Sequence, residues 1–191
     1  MLSKFDIQCY TPHTILSQAL ADLIAQFPSG NFELVQDDLP HEKPDSTYYA
    51  DENVVWTLSF DGSSTSKGGG VGVVLTSGEG KAQKFSYKLT FACSNNMAEY
   101  EALVLGLLAA REEKFKCLHI QEDSNLVVKQ LDWTYAIKEP TLAIYRTATQ
   151  KLSGHFNELR ITHVPRATNR YPDALATLAS KVEITGELVD I

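Results

Sequence analysis

The chain has 191 residues, 43% of them hydrophobic and 21% charged, with a formal net charge of -7. That is globular composition, with length for one sizeable core; no run of about 18 apolar residues offers a transmembrane helix, and no basic stretch leading into an apolar one marks a secretory leader. Cys9, Cys93 and Cys117 lack CxxC or CxH spacing, which argues against a disulfide framework or structural zinc and for a reducing, intracellular setting, cytoplasmic or nuclear.

Residues 1–30 read as an arm. Phe5 to Tyr10 alternates as a short strand, and apolar residues at 15, 16, 19, 20, 23, 24 and 27 form one face of a helix that Pro28 and Gly30 stop. Residues 31–53 are acidic, contain Pro40 and Pro44, and show no period, as in a linker. The body spans 54–182 and opens with a strand, Val54 to Asp61. Trp56, Leu58 and Phe60 take one face of it; Thr57, Ser59 and Asp61 take the other. Two strands follow, Gly69 to Thr76 and Gln83 to Thr90, joined by a turn from Ser77 to Gly80. A long helix starts at Ser94 and ends near Lys114; from Ala102 to Ala110 it is apolar nearly all round, which makes it central and buried. Then come a strand (Cys117 to Asp123), a short helix (Ser124 to Asp132), a helix (Thr141 to Leu152), a strand (Glu158 to Val164) and a terminal helix from Asn169 to about Val182. Residues 183–191 form a tail. Three strands followed by alternating helices and strands predict an α/β body with a mixed five-stranded sheet flanked by helices.

The acidic balance would ordinarily oppose a phosphate-coated partner. Residues 1–53, however, carry Lys4 and Lys43 against nine acids, whereas residues 54–191 carry fifteen bases and fifteen acids. The whole net charge belongs to the arm and linker.

Four acids of the body sit where strands end or helices begin, and each has a simple structural explanation. Asp61 precedes Gly62, as in a turn. Glu99 follows Asn96 by three and closes a capping box on paper. Asp123 precedes Ser124 in an N-cap position, and Asp173 follows Pro172 in a first helical turn. Together they say more. Asp61 and Asp123 end neighbouring strands at the sheet edge where α/β proteins carry ligands, while Glu99 and Asp173 begin helices that can face the same rim. Converging carboxylates repel and raise one another's pKa unless a cation offsets them. A hard divalent ion, Mg²⁺ or Mn²⁺, suits such oxygen donors, and four acids can hold two ions about 4 Å apart, as in phosphoryl transfer.

These residues stand in recognisable company. Asp61-Gly-Ser63, Asn95 to Ala102, Asp123 to Val128, His163-Val-Pro-Arg166 and Asn169 to Ala176 resemble the type 1 ribonuclease H domain, most closely the version in plant gypsy-type LTR retrotransposon polyproteins. The resemblance runs from about Val54 to Val182. It implies a ribonuclease H-like fold and a two-metal endonuclease that cuts the RNA strand of an RNA–DNA hybrid, leaving 3′-hydroxyl and 5′-phosphate ends. It implies that Asp61 bridges two Mg²⁺ ions, that Glu99 and Asp123 complete one, and that Asp173 completes the other. His163 matches the histidine assisting proton transfer or product release; a strand-end histidine with a satisfied ring is the other reading. Gly62, Ser63, Asn95, Asn96 and Asn125 match positions that contact the hybrid's backbone and 2′-hydroxyls, and both Asn95 and Asn96 also suit helix caps. The arm resembles the end of a reverse transcriptase connection region, which makes a reverse transcriptase domain an expected partner. Two features depart from the family. Glu122 stands where these elements usually carry glycine, and alternation points it away from Asp123, toward a packing role. The basic helical protrusion of some bacterial enzymes is missing between Asp132 and Thr141, where Trp133 and Tyr135 suit either base stacking or a lid over the core.

Other readings fare worse. The stretch Lys67 to Gly72 mimics a phosphate loop but enters a strand rather than a helix. A catalytically inactive nucleic-acid-binding or scaffold remnant shares the fold, as does a transposase or integrase core, although the latter uses three acids and a different last helix.

Overall fold

Alternation of apolar and polar residues sets the sheet, and one nearly all-apolar helix fixes what lies beneath it. The computed structural model describes residues 8–10, 54–132, 136 and 139–182. Its strands are β1 (Gln8–Tyr10), β2 (Val55–Thr65), β3 (Gly68–Ser77), β4 (Ala82–Leu89), β5 (Cys117–Glu122) and β6 (Glu158–His163). Its helices are α1 (Asn95–Glu112), α2 (Asn125–Leu131), α3 (Pro140–Ser153) and α4 (Arg170–Lys181), with a single 3₁₀ turn at Arg166–Thr168. The predicted arm helix, the linker, Trp133, Tyr135 and the tail lie outside the described residues.

The sheet order is β1-β4-β3-β2-β5-β6. The β2–β3 and β3–β4 pairs are antiparallel, and β2–β5 and β5–β6 are parallel. The five expected strands form the mixed sheet, and β1 of the arm adds a sixth by pairing in parallel with β4, Gln8 opposite Phe85. Helix α1 packs on β2 and β3, α3 packs on α1, and α4 covers β3, β2 and β4 from the other side. Being covered on both faces, β3 is buried at nine of its ten residues, whereas edge strand β6 is largely exposed.

The core fills the α1 side. Leu58, Phe60, Leu75, Leu103, Leu107 and Ile120 are at most 1% exposed, each contributing about 1.5–3 kcal/mol of transfer free energy. Trp56 stacks on Phe115 with ring centroids 3.9 Å apart and closes the far end of that core.

One boundary differs in a way that matters. β2 does not end at Asp61 but continues to Thr65, pairing Asp61 with Gly72 and Ser63 with Gly70. Gly62 is therefore not a turn residue. A Cβ there would fall 2.1 Å from the Ala98 carbonyl carbon and 2.3 Å from the Glu99 nitrogen, so its missing side chain lets α1 lie directly on the strand. The glycines of β3 serve α4 in the same way: a Cβ on Gly72 would stand 2.1 Å from the Pro172 carbonyl oxygen.

Candidate active site

Each acid reaches the rim by a different device. The β2–β5 register ends at Ser59 opposite Gln121, and carried two residues further it sets Asp61 beside Asp123. Both face away from Phe60 and the core. Glu99 comes from the second turn of α1, brought against β2 by the close approach at Gly62. Asp173 lies in the first turn of α4, which Gly72, the cross-strand partner of Asp61, admits to the sheet. Asn169, 1% exposed, anchors that helix start by donating from Nδ2 to the Phe60 carbonyl at 2.8 Å.

The local explanations for three acids fall away. Ser94, not Asn96, is the N-cap of α1, its Oγ accepting from the Met97 N–H at 3.2 Å, so Glu99 closes no capping box. Ser124, not Asp123, caps α2 by accepting from the Val127 N–H. Asp61 is mid-strand. Asp173 alone keeps its helix-start reading beside its rim position.

Electrostatics bind the four into one group. Asp61 is pushed up to about 7, first by burial and then by the charges of Asp173, Asp123 and Glu99. Burial likewise raises Glu99, which the Ser124 side chain lowers and Asp123 raises further. Arg166 pulls both down. Its guanidinium stands 4.0 Å from Asp123 Oδ2 and 3.7 Å from Asp173 Oδ1, with its side chain 83% exposed. Arg166 and Asn169 fall within the family motifs, yet the sequence alone assigns neither a role. A lone arginine after a strand has no local signature, since its partners come from β5 and α4.

His163 is exposed at the end of β6, and its Nε2 bonds the Asp123 main-chain carbonyl at 3.1 Å, so Nε2 carries the hydrogen. Ser63 is half-buried in β2, and its neighbour Ser64 donates to Asn95 Oδ1 at 2.6 Å, tying the strand to the start of α1. Asn96 is half-buried beside Asn95, and Asn125 is exposed at the first position of α2, two residues past Asp123. The structure thus gathers Gly62, Ser63, Asn95 and Asn96 on one flank of the rim and leaves Asn125 on the other. A cavity of about 180 Å³ lined by Ile120, Leu131, Thr149, Leu159 and Ile161 lies under α3 and includes none of these residues.

The donor set fits a hard cation. It consists of carboxylate oxygens, and Glu99 Oε2 is buried without a hydrogen-bond partner. Among the described residues no three acidic, histidine or cysteine side chains stand close enough to form a metal-holding group. These like charges repel one another, and Arg166 offsets part of that repulsion.

Fold and rim together define the ribonuclease H-like class of α/β proteins. The family model described as "Reverse transcriptase-like" matches residues 59–179. The chain is 36% identical over 184 aligned residues to ribonuclease HI of Halobacterium salinarum, covering 84% of this chain and 92% of that protein. The crystal structure of that organism's RNase H1 superposes with a TM-score of 0.61 at 38% identity, over 66% of this chain and 96% of that one. LC11-RNase H1 in complex with an RNA/DNA hybrid superposes at 0.58 with 26% identity, over 65% of this chain and 94% of that one. A bifunctional protein of Mycobacterium tuberculosis is 33% identical over 122 residues, which is 62% of this chain but 34% of that longer protein. The chain belongs to the ribonuclease H family.

Proposed function

We propose that this chain is a metal-dependent endonuclease that cleaves the RNA strand of RNA–DNA hybrids. The observation that carries this is the meeting of Asp61, Glu99, Asp123 and Asp173 at one rim in a member of this family. In the proposal these four hold two divalent ions, Mg²⁺ or Mn²⁺. When bound, such ions polarise the scissile phosphate and supply a water acidic enough to attack it in line.

The chain's own groups do the rest. Gly62 and Ser63 on one strand, with Asn95, Asn96 and Asn125 at two helix starts, present backbone and amide groups to the sugar-phosphate backbone. They read 2′-hydroxyls and hybrid shape rather than base sequence. His163, with Nε2 committed to the Asp123 carbonyl, has Nδ1 to take or return a proton. The described helices include none long and apolar enough to cross a membrane. Setting the four acids aside, residues 54–191 carry fifteen bases against eleven acids, a mildly basic surround for a polyanion.

The test is cleavage of a labelled hybrid, with duplex RNA and duplex DNA as controls, in Mg²⁺ and in Mn²⁺. The expected result is cutting of the hybrid's RNA strand only, reduced about a thousandfold in Asp123→Asn. Full cleavage by that variant would overturn the assignment of the acids. Tight hybrid binding without turnover in either metal would support the inactive scaffold instead.

The finer origin belongs to the same proposal: the chain derives from a plant gypsy-type retroelement polyprotein. On this reading residues 1–30 are the end of a connection region, 31–53 a linker, 54–182 the nuclease and 183–191 a tail. A reverse transcriptase domain is the partner, and the compartment is cytoplasm or nucleus. Limited proteolysis should cut within 31–53 and leave a stable fragment; a first cut inside 54–182 would refute those boundaries.

A further inference from the structure

Strand β5 spends its inward positions on Leu118, Ile120 and Glu122. The first two feed the core on the α1 side. The third is a carboxyl that is 0% exposed, in a slot where alternation calls for another apolar side chain. Burying it is costly. Glu122 Oε1 accepts the Ser124 N–H at 2.9 Å, while its Oε2 has no hydrogen-bond partner.

That single bond sits at a junction. Asp123 occupies the bend between β5 and α2, and the backbone around it is pinned at three points. The Val164 N–H donates to the Glu122 carbonyl at 2.9 Å, and His163 Nε2 donates to the Asp123 carbonyl at 3.1 Å. Both of these come from β6 and the residue after it. The third pin is the Glu122 side chain itself, which closes a two-residue turn around Asp123. Ser124, held by that turn, accepts from the Val127 N–H at 3.4 Å to cap α2, and its side chain lowers the pKa of Glu99. The Glu122–Ser124 bond therefore closes a loop with Asp123 inside it. A glycine or an aliphatic residue at 122 supplies no such acceptor for the Ser124 N–H.

We infer that Glu122 is a positioning residue: its side-chain oxygen fixes the Ser124 N–H, and the turn so closed sets Asp123 for a divalent cation. This rests on the reading of the four acids as metal ligands. Glu122 acts by the acceptor it offers to an N–H, so an amide oxygen in its place does the same work, and coordination of the metal by Glu122 forms no part of the role.

The test is calorimetric titration of the full chain with Mn²⁺, without nucleic acid. Glu122→Ala and Glu122→Leu, the latter completing the apolar face should the former fold poorly, are expected to bind Mn²⁺ about tenfold more weakly than the parent, as loss of an outer partner does elsewhere. Glu122→Gln is expected to restore affinity to within about twofold of the parent. Weakening by the glutamine equal to that by alanine would overturn the inference, because the charge and not the acceptor would matter. Unchanged affinity in alanine and leucine, or no Mn²⁺ binding by the parent, would also overturn it. Thermal unfolding separates this role from packing, which lowers the midpoint without touching affinity. Because no hybrid is present, a chain that shows this pattern but leaves hybrids uncut would refute the nuclease assignment alone.

Discussion

Two carboxyls of this molecule, Asp61 at the rim and Glu101 inside α1, are both pushed up to about 7, with burial the largest cause in each. Their secondary causes differ. For Asp61 these are the charges of Asp173, Asp123 and Glu99. For Glu101 there is no charged neighbour of note, and the Tyr145 hydroxyl donates to its Oε1 at 3.2 Å, partly offsetting the burial. Glu101 belongs to a polar layer between α1, α2 and α3, in which the Tyr100 hydroxyl also donates to Gln130 Oε1 at 2.9 Å and the Tyr100 and Tyr145 rings lie 5.8 Å apart. In that layer Glu101, Tyr100 and Gln130 find hydrogen-bond partners from within. The rim instead gathers repelling acids and leaves Glu99 Oε2 without a partner, so a cation has charge to relieve there.

The widest separation of the two regions comes from metal and pH together. A raised folded-state pKa means stability that is fully present below the ordinary carboxyl range, 3.8 for Asp61 and 4.5 for Glu101, and is lost as pH rises through about 7. The metal-free protein should thus become easier to unfold between pH 4 and pH 8. Mg²⁺ at about a hundred times its Kd should add about 2.7 kcal/mol and remove the Asp61 share of that slope. Asp61→Asn should remove the same share without metal, roughly 2 kcal/mol once the partial solvation of this half-buried carboxyl is allowed for. The share due to Glu101 should persist in Mg²⁺ and vanish only in Glu101→Gln. Urea unfolding of the three proteins at pH 5 and pH 8 reads all of this, and a slope that Mg²⁺ leaves untouched would erase the distinction.

Breaking the satisfied region should do the reverse. Tyr145→Phe keeps the ring against Tyr100 but removes the donor to Glu101, at a cost of about 1–3 kcal/mol in global stability. Mn²⁺ affinity should stay at the parent value, since Tyr145 touches no rim acid. A variant that loses metal binding in step with stability would show that the two regions are coupled through α1.

The same contrast explains how much of the molecule is legible in its sequence. Strand order and the central helix are legible because alternation and an all-round apolar run are local signals. The four acids are legible because each stands in its own motif. Which residue caps a helix is not, because Ser94 competes with Asn96 and Ser124 with Asp123, and only the backbone's exit from helical geometry decides. The continuation of β2 past Asp61 is hidden for a related reason. Asp-Gly is a turn signal in isolation, and here the glycine answers to α1, a tertiary neighbour. Alternation places Glu122 correctly on the face away from Asp123, but its bond to Ser124 depends on the bend beyond the strand.

The smallest effect concerns Arg166, a cation at the rim. Arg166 lies between Asp123 and Asp173 and lowers the pKa of Asp61 and Glu99, yet its side chain is 83% exposed, so its hold on any single acid is weak. If it stands in for part of the missing positive charge, Arg166→Ala should bind Mn²⁺ about threefold more tightly at low ionic strength, with the gain fading as salt screens the rim. Its KM for hybrid should rise in the same variant, since a phosphate loses a guanidinium partner. Weaker Mn²⁺ binding would mean that Arg166 organises the acids instead of competing for them. The rim would then resemble the α1–α3 layer, a network completed from within, and the contrast between the two regions would be one of degree.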